Sequence, residues 1–195
     1  QIFQKLDSEN LFKSREVARY WQTIIDGKNY PWLRIVNIPT NNLEPESSYL
    51  HLAAKAGQIK AFETALNEKR GKKLIKNKLD KTPFHLACDN GHSNVVKILM
   101  KNPSALSIDF NVKDKKGRTG FIRSCLNGHS KVVKVLMENA GSFSINLNEK
   151  DNAGWTGFHF ACSEGLTDVV KTIIKNATAL SINLNEQDYA GWTGF

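Results

Sequence analysis

Only three cysteines stand in this chain of 195 residues, beside two methionines and five prolines. A disulfide framework uses its cysteines in pairs, so an odd trio argues against one. No apolar run approaches the length of a membrane span. The chain begins Gln-Ile-Phe-Gln-Lys-Leu, with neither methionine nor a charged-then-apolar leader, so no targeting segment is visible and the start reads as that of an excised piece. Catalytic signatures are missing too: no phosphate-cradling glycine loop, no His-Glu-x-x-His and no Gly-x-Ser-x-Gly turn. The sequence therefore predicts no active site, no metal site and no cofactor, and the chain reads as a non-enzyme.

Acidic residues are short in one place only. Residues 1–46 and 117–195 are each neutral, and the whole net charge of +8 falls in 47–116, most of it in the run 68–78, EKRGKKLIKNK. Such a run either attracts phosphates, acidic peptides or a nuclear importer, or is a solvated loop. It lacks the interleaved aromatics of a single-stranded nucleic-acid platform, which makes nucleic acid the weaker reading. With 41% hydrophobic and 24% charged residues, the composition is that of a chain with a packed core.

What is abundant is repetition. Thr-Pro-Phe at Thr82 and Thr-Gly-Phe at Thr119, Thr156 and Thr193 follow one another at intervals of 37. Gly91-His92, Gly128-His129 and Gly165-Leu166 keep the same register, as do NVVKILM, KVVKVLM and DVVKTII. A weaker copy, SYLHLAAKAGQIKAFETAL, lies 34 residues upstream, with His51 aligned to His85 and Gly57 to Gly91. Cys88, Cys125 and Cys162 share this period, so they are expected to be small buried thiols in one packing role, in a reducing, intracellular (cytoplasmic or nuclear) compartment.

Each unit reads as two short helices. Thr82, Thr119 and Thr156 are placed to cap the first helix with their hydroxyls. Gly91, Gly128 and Gly165 are placed to end it in the left-handed conformation. In the second helix Val95, Val96, Leu99 and Met100 form one apolar face at helical spacing. No single unit can bury that face, whereas a stack can.

These residues resemble the ankyrin repeat. TPFHLACDNGHSNVVKILM meets that family's pattern nearly throughout, and Asp114-Lys-Lys-Gly117-Arg-Thr119 and Asp151-Asn-Ala-Gly154-Trp-Thr156 supply its Asp-x-x-Gly-x-Thr turn. The resemblance covers 47–195, as four units starting near 47, 81, 118 and 155 and the start of a fifth at 188–195, and it implies an all-α solenoid with β-finger loops. Three departures stand out. Units of 37 residues exceed the usual 33 or so, and the surplus lies in PSALSIDFN, AGSFSINLN and ATALSINLN, where apolar residues alternate with polar ones, predicting an extended segment or longer finger with one face against its neighbours. Gly120, Gly157 and Gly194 replace proline, predicting looser helix starts. Ile122 and Ser124 replace the usual His and Ala of one unit.

The family binds targets by its finger tips and first helices, which in this sequence are Lys115, Lys116, Arg118, Asn152, Trp155, Tyr189 and Trp192, with Ser163 and Glu164 on a helix. Trp155 and Trp192 are either interface anchors or packing between fingers. His51, His85, His92, His129 and His159 lack ligand partners at metal spacing and are expected to make structural hydrogen bonds.

Residues 1–38 do not carry the repeat, and 39–46, with Pro39, Pro45 and several Asn, read as a linker. Ile2, Phe3, Leu6, Leu11, Val17, Tyr20, Trp21, Ile24 and Ile25 fall at helical spacing in short segments, with Ser8 as a cap. Ile2-Phe3-x-x-Leu6, Asn10-Leu11, Val17, Trp21 and Trp32 resemble an F-box in order and spacing, with Asn10 where that family has Asp. This resemblance implies docking on a Skp-type adaptor of a ubiquitin ligase through Ile2, Phe3, Leu6, Leu11 and Val17, with Trp21 packed inside. The alternative is a helical cap on the array, in a plain ankyrin scaffold or inhibitor.

Overall fold

The chain divides into two units, Gln1–Ser48 and Tyr49–Phe195, and the architecture that follows is that of the second. The computed structural model describes residues 47–67, 76–101 and 108–195. The helical domain at 1–38 with its five adaptor-side residues, the linker at 39–46 and most of the basic run lie outside the described residues.

Among the described residues four helix pairs follow one another: α1 (Ser47–Ala56) with α2 (Ile59–Asn67), α3 (Pro83–Asp89) with α4 (Ser93–Lys101), α5 (Gly120–Leu126) with α6 (Ser130–Glu138), and α7 (Gly157–Ser163) with α8 (Thr167–Asn176). The first helix of each later pair starts where its threonine caps it. Thr82 Oγ1 accepts from the His85 N–H at 3.4 Å, while the Thr82 N–H donates back to His85 Nδ1 at 3.1 Å. Thr156 and His159 repeat this reciprocal cap, with histidine taking the place usually held by Glu or Gln. Thr119 caps the Ile122 N–H at 3.3 Å, but Ile122 has nothing to return. Each first helix stops at glycine in the left-handed region, as at Gly91 (φ 74°). There the His92 N–H reaches back to the Ala87 carbonyl at 2.9 Å and the Gly91 N–H to Cys88, closing the helix end.

The first helices α3, α5 and α7 pack in one layer and the second helices α2, α4, α6 and α8 in another. Between them lie Val95, Val96, Leu99, Val132, Val133, Leu136, Val169 and Ile173, all essentially inaccessible to water. Each such side chain contributes roughly 1.5–3 kcal/mol of burial. Cys88 and Cys125 are fully buried among them, while Cys162 is half-buried.

Two expectations change. Gly120 does not merely loosen a helix start: a Cβ there would stand 2.3 Å from Cε1 of Phe84 in the preceding unit. The same Cβ on Gly157 would meet Phe121 at 2.9 Å, and on Gly194 it would meet Phe158 at 2.6 Å. Pro83 is the exception that explains the pattern, because the preceding unit has Leu50 in the phenylalanine register.

The surplus residues after α6 and α8 are also not a strand, and no strand occurs among the described residues; 102–107 of the first copy lie outside them. After α6 the chain winds on, with the Phe143 N–H bonded to the Asn139 carbonyl and the Ile145 N–H to Ala140, and it is stopped by Ser144 at φ 49°. Residues 176–182 repeat this, with Ser181 at φ 52°. Ile145, Leu147, Phe110 and Ile182 do face inward. The backbone bonds that strand pairing would supply come from asparagine side chains instead. Asn111 Nδ2 donates to the Ser144 carbonyl at 2.8 Å, and Asn111 Oδ1 accepts from the Asn146 N–H at 2.8 Å. One unit on, Asn148 does the same for Ser181 and Asn183.

Candidate protein-binding surface

The finger turns are built around one side-chain oxygen each. Asp114 Oδ1 accepts from the Lys116 and Arg118 N–H groups at 2.8 and 3.1 Å. Asp151 and Asp188 do the same in their turns, and Asn77 supplies the amide equivalent for Leu79 and Lys81. A backbone bond joins each tip to the next: Lys115 N–H to Leu79, Asn152 N–H to Lys116 and Tyr189 N–H to Ala153. Four turns thus stand in a row at fixed spacing.

Within that row the expected target-side residues fall into two groups. Arg118 Nε donates to Asp151 Oδ2 at 3.2 Å, and the Trp155 indole N–H donates to Asp188 Oδ2 at 3.0 Å. Both are half-buried and flank Phe160, with the Arg118 guanidinium 4.6 Å from that ring's centre and the Trp155 ring 4.9 Å away. Their reach is spent on the next unit. Lys115, Lys116, Asn152, Ser163 and Glu164 are exposed, as are Tyr189 (75%) and Trp192 (73%). Trp192 holds the Trp155 register.

The sequence reading passed over Arg123 and Leu79. Arg123 on α5 binds Asp114 through Nε at 2.7 Å and through its terminal nitrogen, and it reaches Asp89 at the end of α3 at 3.3 Å. Lys81 meets the same Asp89 at 2.5 Å. Burial would raise the Asp114 carboxyl, but the Arg118 N–H and the Arg123 guanidinium outweigh that and hold it below its usual range. No periodicity announces this network, since Arg123 occupies a register where neither of the equivalent residues, Leu86 and Phe160, is charged. Leu79, 56% exposed at its tip, is discoverable by counting 37 residues back from Lys116.

The remaining polar side chains are absorbed by the stack. His85 Nε2 donates to the Val112 and Arg118 carbonyls at 3.0 and 3.1 Å, its Nδ1 faces the Thr82 donors, and burial lowers its pKa to about 4. His51, His92, His129 and His159 likewise bond backbone carbonyls, each with Nε2. Burial pushes all three thiols up, so none is poised as a nucleophile at neutral pH. Among the described residues no cluster of His, Cys, Asp or Glu could hold a metal, and no helix is long and apolar enough to cross a membrane. A cleft of roughly 510 Å³ opens beside Lys113, Asn148, Lys150 and Tyr189. Its lysines are already paired with Glu149 and Glu186 at 2.7 Å each.

Two stretches, 32–114 and 104–188, match the family model described as ankyrin repeats (3 copies). The first begins at residue 32, upstream of the Ser47 start read from the repeat register. A human protein, ankyrin repeat domain-containing protein 7, is 38% identical over 61 residues, which cover 31% of this chain and 24% of that relative. The matched stretch thus spans about a quarter of the relative's length. Stacked helix pairs, threonine-capped first helices and the family match over most of the chain agree: this chain belongs to the ankyrin-repeat family, whose repeats bind protein partners.

Proposed function

We propose that the chain is the substrate-receptor part of a Skp–cullin–F-box type ubiquitin ligase, in which residues 1–38 dock on a Skp-type adaptor and the array holds a target protein. The observation that carries the array's half is a division of labour. Among the described residues the histidines, Arg118, Arg123 and the cysteines are consumed by packing between units, while the exposed chemistry stands on a row of finger tips held at fixed spacing. Lys115, Lys116, Asn152, Tyr189 and Trp192, with Ser163 and Glu164 beside them, make the target contacts. Arg118 and Trp155 act by bracing adjacent fingers. A receptor of this kind supplies proximity rather than chemistry.

The adaptor half rests on the sequence pattern of Ile2, Phe3, Leu6, Leu11 and Val17. Titration of this chain with a purified Skp-type adaptor, beside a Leu11→Asp variant, tests it. Saturable binding by the parent and at least tenfold weaker binding by the variant is the expected result. No binding by the parent overturns it and leaves an ankyrin scaffold or inhibitor whose N-terminal helices act as a cap.

A further inference from the structure

We infer that the cleft between the third and fourth finger turns takes an uncharged stretch of the target polypeptide and seats an apolar ring of it, aromatic or proline, on Tyr189; the inference rests on the proposal that the finger row binds a protein. Lys115, Asn152 and Tyr189 share one register at the finger tips, and of these three Tyr189 alone is aromatic. Tyr189 is 75% exposed yet held at its root. Its N–H bonds the Ala153 carbonyl at 3.4 Å, and its ring starts over the bare Cα of Gly154 (φ 83°), where a Cβ would stand 2.9 Å from the ring's Cδ1. The hydroxyl makes no hydrogen bond among the described residues. A placed aromatic ring with a polar tip is the kind of side chain that anchors protein contacts, because little of its freedom remains to be lost.

Tyr189 is also one wall of the cleft of roughly 510 Å³, a size within the range of about 300–1,000 Å³ at which ligand sites occur. No residue of a first helix lines it, so it is not part of the groove between finger tips and first helices. Its charges are met from within the protein. Lys113 Nζ pairs with Glu149 and donates to the Lys150 carbonyl at 2.9 Å, and Lys150 Nζ pairs with Glu186 and donates to the Gln187 carbonyl at 2.9 Å. Asp151 is taken up by Arg118 and by the N–H groups of its own turn. A charged segment would give up water here without gaining a free counter-charge, whereas an uncharged one loses little. Asn152 spends its Nδ2 on the Lys115 carbonyl at 3.1 Å, and its Oδ1 meets no donor among the described residues. A backbone N–H of the target therefore finds an acceptor in the same cleft. One unit earlier the registers of Glu149 and Tyr189 hold Val112 and Asn152, so neither the pairing carboxylate nor the aromatic wall recurs there.

Panning a displayed random-peptide library against the whole chain tests this, followed by titration of the enriched peptides into variants and by amide spectra of the labelled chain. The inference expects peptides with an uncharged core holding Tyr, Phe, Trp or Pro, whose affinity changes less than twofold between about 50 and 500 mM salt. Tyr189→Ala should weaken them at least tenfold, Tyr189→Phe less than threefold, and Lys115→Glu/Lys116→Glu less than twofold. Thermal melts of the variants should match the parent, since the changed side chains are exposed. Amides at 146–150 and at Tyr189 should shift on binding, while those of Leu126 and Ser163 on the first helices should not. Acidic peptides that depend on Lys115 and Lys116 but not on Tyr189 overturn the inference while leaving the protein-binding proposal intact. So do peptides that move the first-helix amides and leave 146–150 still. Peptides insensitive to every finger-tip change overturn both. Tighter binding of the neutral oligosaccharide maltohexaose than of any peptide, lost in Tyr189→Ala, makes the cleft a glycan site and refutes the inference.

Discussion

The Phe84 ring fills the space that any side chain on Gly120 would need, with Cε1 2.3 Å from the position of a Cβ. The two residues belong to different units, so the Thr-Gly-Phe motif encodes a contact across the unit boundary. Gly120→Pro would supply the family's preorganised helix start yet place a ring against buried Phe84. Overpacking of this kind costs about 1–3 kcal/mol. Phe84→Leu in the same chain should recover at least about 1 kcal/mol of that, because Leu50 already coexists with Pro83 one boundary earlier. Urea unfolding of the two single variants and the double variant measures the coupling, and strictly additive losses would refute it.

His85 gives the array a pH dependence. Burial lowers its pKa from 6.5 to about 4 in the folded chain. The unfolded chain takes up a proton near pH 6.5 and the folded chain resists until about 4. The contribution is therefore complete above 6.5 and is lost as pH falls toward 4, by about 3 kcal/mol if the shift is fully expressed. The parent should lose stability faster than His85→Asn across that window. Parallel curves from pH 7 to 4 would show that His85 titrates normally.

Asn148 ties two units together through groups that no hydrophobic pattern reveals. It donates to the Ser181 carbonyl at 2.8 Å and accepts from the Asn183 N–H at 2.9 Å. Asn148→Ala removes both bonds from a half-exposed site and should cost about 1–2 kcal/mol. The Asn183 amide should then exchange its hydrogen at least tenfold faster. Unchanged protection at Asn183 would mean that the ladder is incidental.

Asp80 sits at φ 55° in the register where Gly117, Gly154 and Gly191 stand. Asp80→Gly should relieve this strain and stabilise by roughly 0.5–1 kcal/mol, whereas Asp80→Ala should destabilise by about 1 kcal/mol. The opposite signs separate backbone strain from loss of the carboxylate, which would make both variants shift the same way.

The register of the array was legible because buried positions recur. Thr82, Gly91 and Val95 perform the same task in each of the three later units, and a period of 37 exposes them. The contacts between units were harder to read. Phe84 against Gly120 requires knowing which side of one helix faces the next, which a self-alignment does not contain. The alternation in Ser-Ile-Asn-Leu-Asn read as a strand because its apolar half points inward, as found at Ile145 and Leu147. Its polar half uses side-chain amides rather than backbone pairing, and period-two logic cannot tell these apart. On the finger row Lys115 and Lys116 were legible from the turn motif. Leu79 was not, because its turn carries Asn77 and Asp80 in place of the expected Asp and Gly.

A receptor must hold its target and its ligase at once, so the most direct measurement is ubiquitin transfer in a reconstituted Skp–cullin–RING reaction to a carrier protein fused to a peptide selected on the finger row. The account predicts that the fused carrier is modified and the bare carrier is not. It further predicts that Leu11→Asp and Tyr189→Ala each abolish the reaction, one by releasing the adaptor and the other the target. Modification that survives Leu11→Asp, or none at all when both ends are shown to be bound, would contradict it.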